Sequence, residues 1–218
     1  MKKVLFIAIW AIIALSSCGK EEPKQTGIQL NKTDVSLKHD ETFKLVVSNA
    51  TGSETFSSEN KYIATVDGAG SIKAGVIGET SIIVKRGIES ATCKVMVIPA
   101  ITNIDEPYLR FGADKQTVKN IIKKYGTVTD KPNSLFVSTY IGGNTLTYMY
   151  NFENNKLVSA AMATRRTGCL SKSLIEFYLE RYIVVKHDGN TILGITPDEA
   201  VVVGVQIDDL VTLGYIPK

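Results

Sequence analysis

Apolar and polar residues alternate in short runs between residues 27 and 98. The alternation is clear at Phe43, Leu45 and Val47, and again at Cys93, Val95 and Val97. Glycine-containing turns lie between the runs. Successive side chains of a strand point to opposite faces of a sheet, so each run predicts a strand with one buried face. Many short strands separated by such turns predict an all-β sandwich over residues 27–98. Cys93 is predicted to be a small buried residue in it.

The pattern changes after residue 108. Val118, Ile121 and Ile122 lie on one face of a helix, which predicts a first helix over residues 115–125 with Asp114 as its cap. The other predicted elements are strands at 135–141, 145–152 and 157–164, a second helix at 171–181 capped by Ser171, strands at 182–186, 191–195 and 200–207, and an edge strand at 210–216. This order predicts an α+β domain over 108–218, made of two helix-plus-antiparallel-strand repeats.

A segment with a proline at each end separates the two patterns. Residues 99–107 begin with Pro99, end with Pro107 and show no clear period. Such a segment predicts a short, fairly stiff linker. The chain is therefore predicted to be multidomain, with an all-β unit followed by an α+β unit.

The first 18 residues have the order of an export signal: basic, then apolar, then small. Lys2 and Lys3 precede an apolar run that ends at Leu15, and Ser16-Ser17-Cys18 follows. Leu15-Ser16-Ser17-Cys18 resembles the lipobox of bacterial lipoproteins. The resemblance implies a signal peptide at 1–17, cleavage before Cys18, and lipidation of Cys18 by a diacylglycerol and an amide-linked acyl chain such as palmitate. An ordinary signal peptide and an uncleaved signal anchor are the alternatives.

The residues after Cys18 are polar and lack groups to bury. Residues 18–26 therefore predict a lipidated, solvated tether, with an acidic pair at Glu21-Glu22. An acidic pair in this place resembles the surface-export signal of Bacteroidetes-type lipoproteins. The resemblance implies an outer-membrane, lipid-anchored protein exposed at the cell surface, and a plain solvated tether is the alternative.

The all-β segment carries motifs of a known family. They are Glu41-Thr42-Phe43-Lys44-Leu45, Phe56-Ser57-Ser58-Glu59-Asn60, Ile63-Ala64-Thr65-Val66-Asp67, Gly70-Ser71-Ile72-Lys73-Ala74 and Gly78-Glu79-Thr80-Ser81-Ile82. Residues 27–98 are on this ground similar to the bacterial Ig-like group 2 (Big2) family, with Phe56 in place of the family tryptophan. The resemblance implies an Ig-like sandwich of the kind found in surface and adhesion proteins. The segment 108–218 resembles, in architecture only, the helix-plus-sheet repeats of beta-lactamase inhibitor proteins and small outer-membrane assembly lipoproteins.

Charge and composition exclude several function classes. The formal charge of +3 includes Lys2 and Lys3, so the exported body is close to neutral and has no electrostatic footprint for nucleic acid. No metal-ligand or phosphate-loop motif is present, and no cofactor is expected. The only histidines are His39 and His187, each beside an aspartate in a predicted turn, and Cys169 reads as a structural, packed thiol. We therefore expect a protein that is not an enzyme.

One strand presents a row of large side chains. Leu146, Tyr148, Tyr150 and Phe152 share a face of the predicted strand 145–152. Tyr148, Tyr150 and Phe152 are a candidate ligand face, but the apolar stripes of the two helices need a partner, and this favours a core position with the tyrosine hydroxyls reaching the rim.

The expected function is that of a membrane-anchored, non-catalytic binding or adhesion module at the cell surface. The Big2 segment would be its stalk and residues 108–218 its head, with a glycan or a protein as the unidentified ligand. A periplasm-facing accessory of envelope assembly is the alternative. Cys18 is the predicted membrane contact in both.

Overall fold

The computed structural model describes residues 27–218. The predicted signal peptide, Cys18 and the tether lie outside the described residues. Within this range, no helix combines the length and the apolar character needed to cross a bilayer. Buried side chains form two main clusters, one in each predicted domain.

The N-terminal unit is a β-sandwich, as predicted. One sheet has the strand order β1-β7-β6-β3, and the other has the order β2-β5-β4. The first and last strands, β1 and β7, run parallel, and the other neighbours are antiparallel. The strands are β1 (Asp34–Lys38), β2 (Thr42–Lys44), β3 (Thr55–Ser58), β4 (Ala64–Val66), β5 (Ser71–Ala74), β6 (Gly78–Arg86) and β7 (Glu89–Ile98).

The alternating positions of these strands fill the space between the two sheets. Ile82 and Val84 of β6 and Cys93, Val95 and Val97 of β7 are buried. Cys93 is thus a core residue, as expected, and its burial raises the pKa of the thiol. Phe56 packs against the edge of the same cluster.

The C-terminal unit has two helices, each followed by four antiparallel strands. The elements are α1 (Lys115–Ile122) with a 3₁₀ turn (Lys123–Tyr125), β8 (Val128–Lys131), β9 (Ser134–Ile141), β10 (Asn144–Glu153), β11 (Lys156–Arg165), α2 (Cys169–Leu179), β12 (Ile183–Asp188), β13 (Thr191–Ile195), β14 (Val201–Ile207) and β15 (Leu210–Pro217). Asp114 caps α1, because its carboxylate accepts a hydrogen bond from the Thr117 backbone N–H at 2.9 Å. Pairing joins all the strands into one sheet of order β12-β13-β14-β15-β11-β10-β9-β8.

Three details of this unit differ from the prediction. The last strand, β15, is not at an edge but lies between β14 and β11, because its backbone pairs with both of these strands. Strand β8 was not predicted, since it has a single apolar residue and no alternation. Helix α2 begins at Cys169, and the Ser171 hydroxyl donates to carbonyl oxygens at Arg166 and Gly168 instead of capping the helix.

The candidate ligand face of β10 is the core of this unit. Tyr148, Tyr150 and Phe152 are 1%, 0% and 3% exposed, so the alternative of an exposed ligand face on these residues is wrong. Both helices need an apolar partner, and residues of each helix belong to the same buried cluster. The Tyr148 hydroxyl donates to the Asp105 carbonyl oxygen at 3.0 Å, and burial raises the pKa of Tyr148 and Tyr150 well above the usual range.

The two units contact each other at the end of α2. Ile183 belongs to the buried cluster of the sandwich although it lies in β12. The Ile77 backbone N–H donates to the Glu180 carbonyl oxygen at 2.7 Å. Residues 99–107 pack along the second unit, to whose core Ile101 and Ile104 contribute. The Ala100 backbone N–H donates to the Glu180 carboxylate at 2.8 Å.

Candidate binding face

The eight-stranded sheet has a second face, opposite the helices. Strand register aligns six residues in one row across this face, each paired with the next, and the row crosses six neighbouring strands from β9 to β13. At about 4.8 Å between neighbouring strands, the row is about 24 Å long. Its members are Phe136, Met149, Ala161, Gly214, Gly204 and Leu193. We call this surface the open face.

The open face carries no ionisable side chain in its three central rows. The rows flanking the central one contain serine, threonine, asparagine, glutamine, alanine, valine and isoleucine. They are Ser138, Thr147, Ala163, Thr212, Gln206 and Thr191 on one side, and Ser134, Asn151, Ser159, Ile216, Val202 and Ile195 on the other. Ile195, at the end of its row, packs against the buried cluster of the sandwich. In a chain with 22% charged residues, chance would place several charges among so many surface positions. The open face is therefore a neutral surface with hydroxyl and amide groups.

Two glycines lie side by side at the centre of this face. Gly204 and Gly214 are direct partners in the ladder between β14 and β15. Neither needs glycine for its backbone conformation, and a Cβ on Gly214 would meet no atom within 4 Å, while one on Gly204 would meet only Leu193, at 3.4 Å. Gly194 points to the helix side instead, and a Cβ there would clash with the Tyr178 hydroxyl.

The glycine pair leaves the backbone accessible at the centre of the open face. Glycine inside a strand weakens the strand, and it is found where a ligand or another chain comes close to the backbone. Packing explains Gly194, but neither packing nor backbone conformation explains Gly204 and Gly214. Access for a ligand is one physical reason for two small residues at this point.

Both edges of the sheet are unsuited to pairing with an added strand. At one edge β8 has only four residues, and at the other β12 is interrupted by a bulge between Val184 and Lys186. Strand β12 also carries Lys186, His187 and Asp188 at its end. Short, bulged and charged edges oppose strand addition, so a ligand would reach this sheet through its open face.

A cleft lies at the β8–β9 end of the open face. It encloses about 460 Å³ between the 3₁₀ turn, β8 and β9, and its lining includes Tyr125, Phe136 and Tyr140. The Tyr125 ring is fixed by stacking on Tyr148, with the ring centroids 4.5 Å apart. Tyr140 is 79% exposed. The Lys131 ammonium group lies 4.9 Å from the centroid of the Phe136 ring, at the rim.

The residues that sequence reasoning considered for catalysis do not form a site. His39 hydrogen-bonds through Nδ1 to the Gly75 carbonyl oxygen at 2.7 Å, while His187 lies on β12. Cys169 is exposed at the start of α2, so the expectation of a packed structural thiol was wrong. Cys169 is the first residue of α2 and follows Gly168, and its side chain is exposed to solvent there. Within residues 27–218, no group of three or more His, Cys, Asp or Glu residues is arranged to hold a metal ion.

Sequence reasoning missed the open face. Strand alternation places Val202, Gly204 and Gln206 on the face opposite Val201, Val203 and Val205, and this was a usable signal. The register that brings Gly204 beside Gly214 is set by the turn at residues 208–209, for which the sequence offered no rule. Tyr140 stands just before Gly142-Gly143 and was interpreted only as the end of a strand.

Comparison with known proteins identifies the N-terminal unit. Residues 25–95 match the family model described as "Bacterial Ig-like domain (group 2)", so this segment is a Big2 domain, as its motifs predicted. The match covers about a third of the chain and none of the eight-stranded sheet. No curated protein matches the chain.

Several solved structures are similar to the chain at low identity. An EHEC O157:H7 intimin mutant is 21% identical, with 56% of this chain and 78% of that chain covered and a TM-score of 0.28. Domains 5-6 of the S-layer protein SbsC are 15% identical, with 88% and 83% covered and a TM-score of 0.29. Bacteroides ovatus SGBP-B, solved with a mixed-linkage heptasaccharide, is 11% identical, with 88% and 58% covered and a TM-score of 0.25. These similarities are too distant to assign a ligand.

Proposed function

We propose that the protein is a non-catalytic binding module, anchored by lipid at the outer surface of the outer membrane, with the open face as its binding surface. The observation that carries the proposal is the pair Gly204 and Gly214 at the centre of three rows that carry no ionisable side chain from β9 to β13. The Big2 domain serves as the stalk, and residues 108–218, with their two helix-plus-strand repeats, form the head. Cys18 holds the protein in the membrane.

A rigid connection between stalk and head supports this role. The linker does not swing freely, because Glu180 accepts hydrogen bonds from the backbone N–H groups of Ala100 and Ile101. The sandwich core also reaches across to Ile183 in β12. A stalk joined firmly to a head keeps the binding face in one orientation relative to the stalk.

Replacing Gly214 by arginine is expected to abolish ligand binding without loss of stability. The new side chain would meet no atom at its Cβ and would occupy the centre of the open face. Ligands would first be found with the parent protein, lacking its first 18 residues, by glycan array and by capture from cell envelopes. Binding of each ligand would then be measured by surface plasmon resonance, and we expect at least a tenfold weaker affinity for Gly214→Arg.

Gly68→Arg is the matched control. Gly68 lies in the sandwich, and a Cβ there also meets no atom within 4 Å, so the variant adds the same charge and bulk far from the open face. We expect it to bind like the parent. A ligand that Gly214→Arg retains with parental affinity would show that the open face is not the binding surface.

Cys18→Ala is expected to move the protein from the membrane fraction to the soluble fraction. The change removes the thiol that would carry the diacylglycerol, and each buried CH₂ of an acyl chain contributes about 0.8 kcal/mol to membrane attachment. The measurement is immunoblotting of fractionated cells. Cys169→Ala, at an exposed cysteine of the head, is the control and should stay with the membrane. A Cys18→Ala protein that still fractionates with the outer membrane would contradict lipid anchoring.

Protease treatment of whole cells separates the proposed location from the alternative. A head exposed at the cell surface is cut by added protease, whereas the head of a periplasm-facing assembly accessory is protected until the outer membrane is opened. A periplasmic marker protein, protected in the same cells, shows that the outer membrane was intact.

A further inference from the structure

The lining of the cleft beside β9 is uncharged. None of its nine lining residues is ionisable at neutral pH: three are aromatic and four carry an aliphatic hydroxyl. The aromatic residues are Tyr125, Phe136 and Tyr140, and the hydroxyl residues are Thr127, Thr129, Ser138 and Thr139. Its volume of about 460 Å³ is within the range of about 300–1,000 Å³ that small-molecule sites occupy.

We propose that this cleft binds a neutral carbohydrate, a ligand class that the open face would then accommodate as an extended chain. The inference rests on the proposed function and names its ligand. Sugar rings present C–H groups on their flat faces and hydroxyls around their edges. Aromatic rings offer an electron-rich face to such C–H groups, and serine and threonine hydroxyls both donate and accept hydrogen bonds.

The exposure of Tyr140 supports a ligand in the cleft. A tyrosine that is 79% exposed leaves both its ring and its hydroxyl in water, although tyrosine usually buries its ring. Strand β8 pairs with β9 only as far as Val137, so Ser138 to Ile141 extend beyond the last pair. Gly126 crosses close to this segment, since a Cβ there would lie 2.7 Å from the Ser138 carbonyl oxygen. The cleft is thus narrow where Gly126 meets Ser138 and open at Tyr140.

Charge distinguishes the neutral carbohydrate from other ligands. An anionic polymer or a phosphate group requires free cationic donors. The two lysines beside the cleft are already engaged: the Lys131 ammonium group lies 4.9 Å from the Phe136 centroid, and the Lys124 ammonium group lies 4.5 Å from the Tyr125 centroid and 3.6 Å from the Asp105 carboxylate. An added peptide strand requires a longer free edge than the four residues 138–141. The row from Phe136 to Leu193 continues the uncharged surface from the cleft across the sheet, over about 24 Å.

Affinity gel electrophoresis tests the ligand class. The chain without its first 18 residues would be run through gels that contain neutral polysaccharides (dextran, starch, β-glucan, xylan, mannan, galactan) or anionic ones (alginate, polygalacturonate, heparin). We expect retardation by at least one neutral polymer and by none of the anionic ones. Calorimetry with oligosaccharides of that polymer then gives the dissociation constant.

Tyr140→Ala is the test of the site, and Tyr62→Ala is its matched control. Tyr62 is 61% exposed and lies in the sandwich, so both variants remove an exposed tyrosine ring. We expect Tyr140→Ala to raise the dissociation constant about tenfold or more, since the variant loses the aromatic ring on which a sugar would stack. Tyr140→Phe keeps the ring and should retain most of the affinity, and Tyr62→Ala should bind like the parent.

The following results of these experiments would overturn the inference. Retardation by anionic polymers alone excludes a neutral ligand, and unchanged affinity in Tyr140→Ala excludes this cleft. If no neutral polymer is bound but another ligand binds in a way that Gly214→Arg abolishes, the carbohydrate assignment is wrong and the proposed function stands. If the parent protein binds neither, both are wrong.

Discussion

Phe152→Ala is expected to lower the free energy of unfolding of the C-terminal domain by about 3–5 kcal/mol. The Phe152 side chain is 3% exposed within the cluster that both helices cover. Removing the ring loses its transfer free energy and leaves a cavity that α1, α2 and the sheet can fill only in part. A domain of this size is stabilised by roughly 5–15 kcal/mol in total, so the variant loses a large share of its stability.

Urea unfolding followed by tyrosine circular dichroism measures this change. The only tryptophan, Trp10, lies in the predicted signal peptide, whereas Tyr62 is the one tyrosine that precedes residue 108, so the tyrosine signal reports on the C-terminal domain. Tyr140→Ala is the control on the same sheet, and a change of about 0.5 kcal/mol or less is expected for such a surface position. An unchanged midpoint for Phe152→Ala would show that Phe152 does not support the core.

The sandwich could be predicted because its core follows a simple alternation. Ile82, Val84, Val95 and Val97 occupy every second position of β6 and β7, and burial on one face of a two-sheet sandwich demands that spacing. A core position for the apolar face of β10 was also correctly favoured, on the basis of a single argument. The apolar stripes of two helices need an apolar partner, and Tyr148, Tyr150 and Phe152 form the most apolar face available.

Strand β8 and the interior position of β15 were not predicted, because both depend on the pairing of strands rather than on burial. Strand β8 exists because its backbone pairs with β9, and its side chains, with Val128 as the only apolar one, give no pattern. The interior place of β15 was missed for a related reason. Alternation shows that Val211, Leu213 and Tyr215 share a face, but it does not show which strand lies on each side.

The candidate site was hidden because tertiary register creates it. Phe136, Met149, Ala161, Gly214, Gly204 and Leu193 come from six strands, spread over 79 positions of sequence, and only the register places them in one row. Their uncharged side chains give no motif along the chain. The most apolar strand, β10, was considered instead, and the need of the two helices for an apolar partner explains why its large side chains lie on the helix side of the sheet rather than on the open face.

Glu180 is the buried charge at the junction of the two domains, and sequence reasoning gave it no role. Its residue is 1% exposed, and its carboxylate accepts hydrogen bonds from the backbone N–H groups of Ala100 and Ile101 and pairs with Arg181. The Arg181 guanidinium lies over the Phe177 ring, 3.8 Å from its centroid, and donates to the Ile101 carbonyl oxygen at 3.1 Å. These partners are mostly backbone atoms some 80 positions away, which no side-chain pattern displays.

Glu180→Ala is expected to lower the free energy of unfolding by about 3 kcal/mol and to release the linker. Removing one partner of a buried ion pair destabilises by about 3–5 kcal/mol. The lower end applies here because the Arg181 side chain is 16% exposed and keeps the Glu106 carboxylate at 3.9 Å. Two backbone N–H groups also lose their acceptor. Urea unfolding measures the stability, and limited proteolysis measures the cutting of residues 99–107, which should become faster.

The matched control is Glu176→Ala, one turn earlier on α2. Glu176 is exposed and pairs only loosely with Lys172, at 3.7 Å, so its loss should change stability by about 0.5 kcal/mol or less. If Glu180→Ala unfolds like Glu176→Ala and its linker stays protected, apolar contacts such as Ile183 against the sandwich hold the junction by themselves. If the linker is cut faster, a carboxylate on the helix of the head fixes the direction in which the Big2 stalk presents the open face.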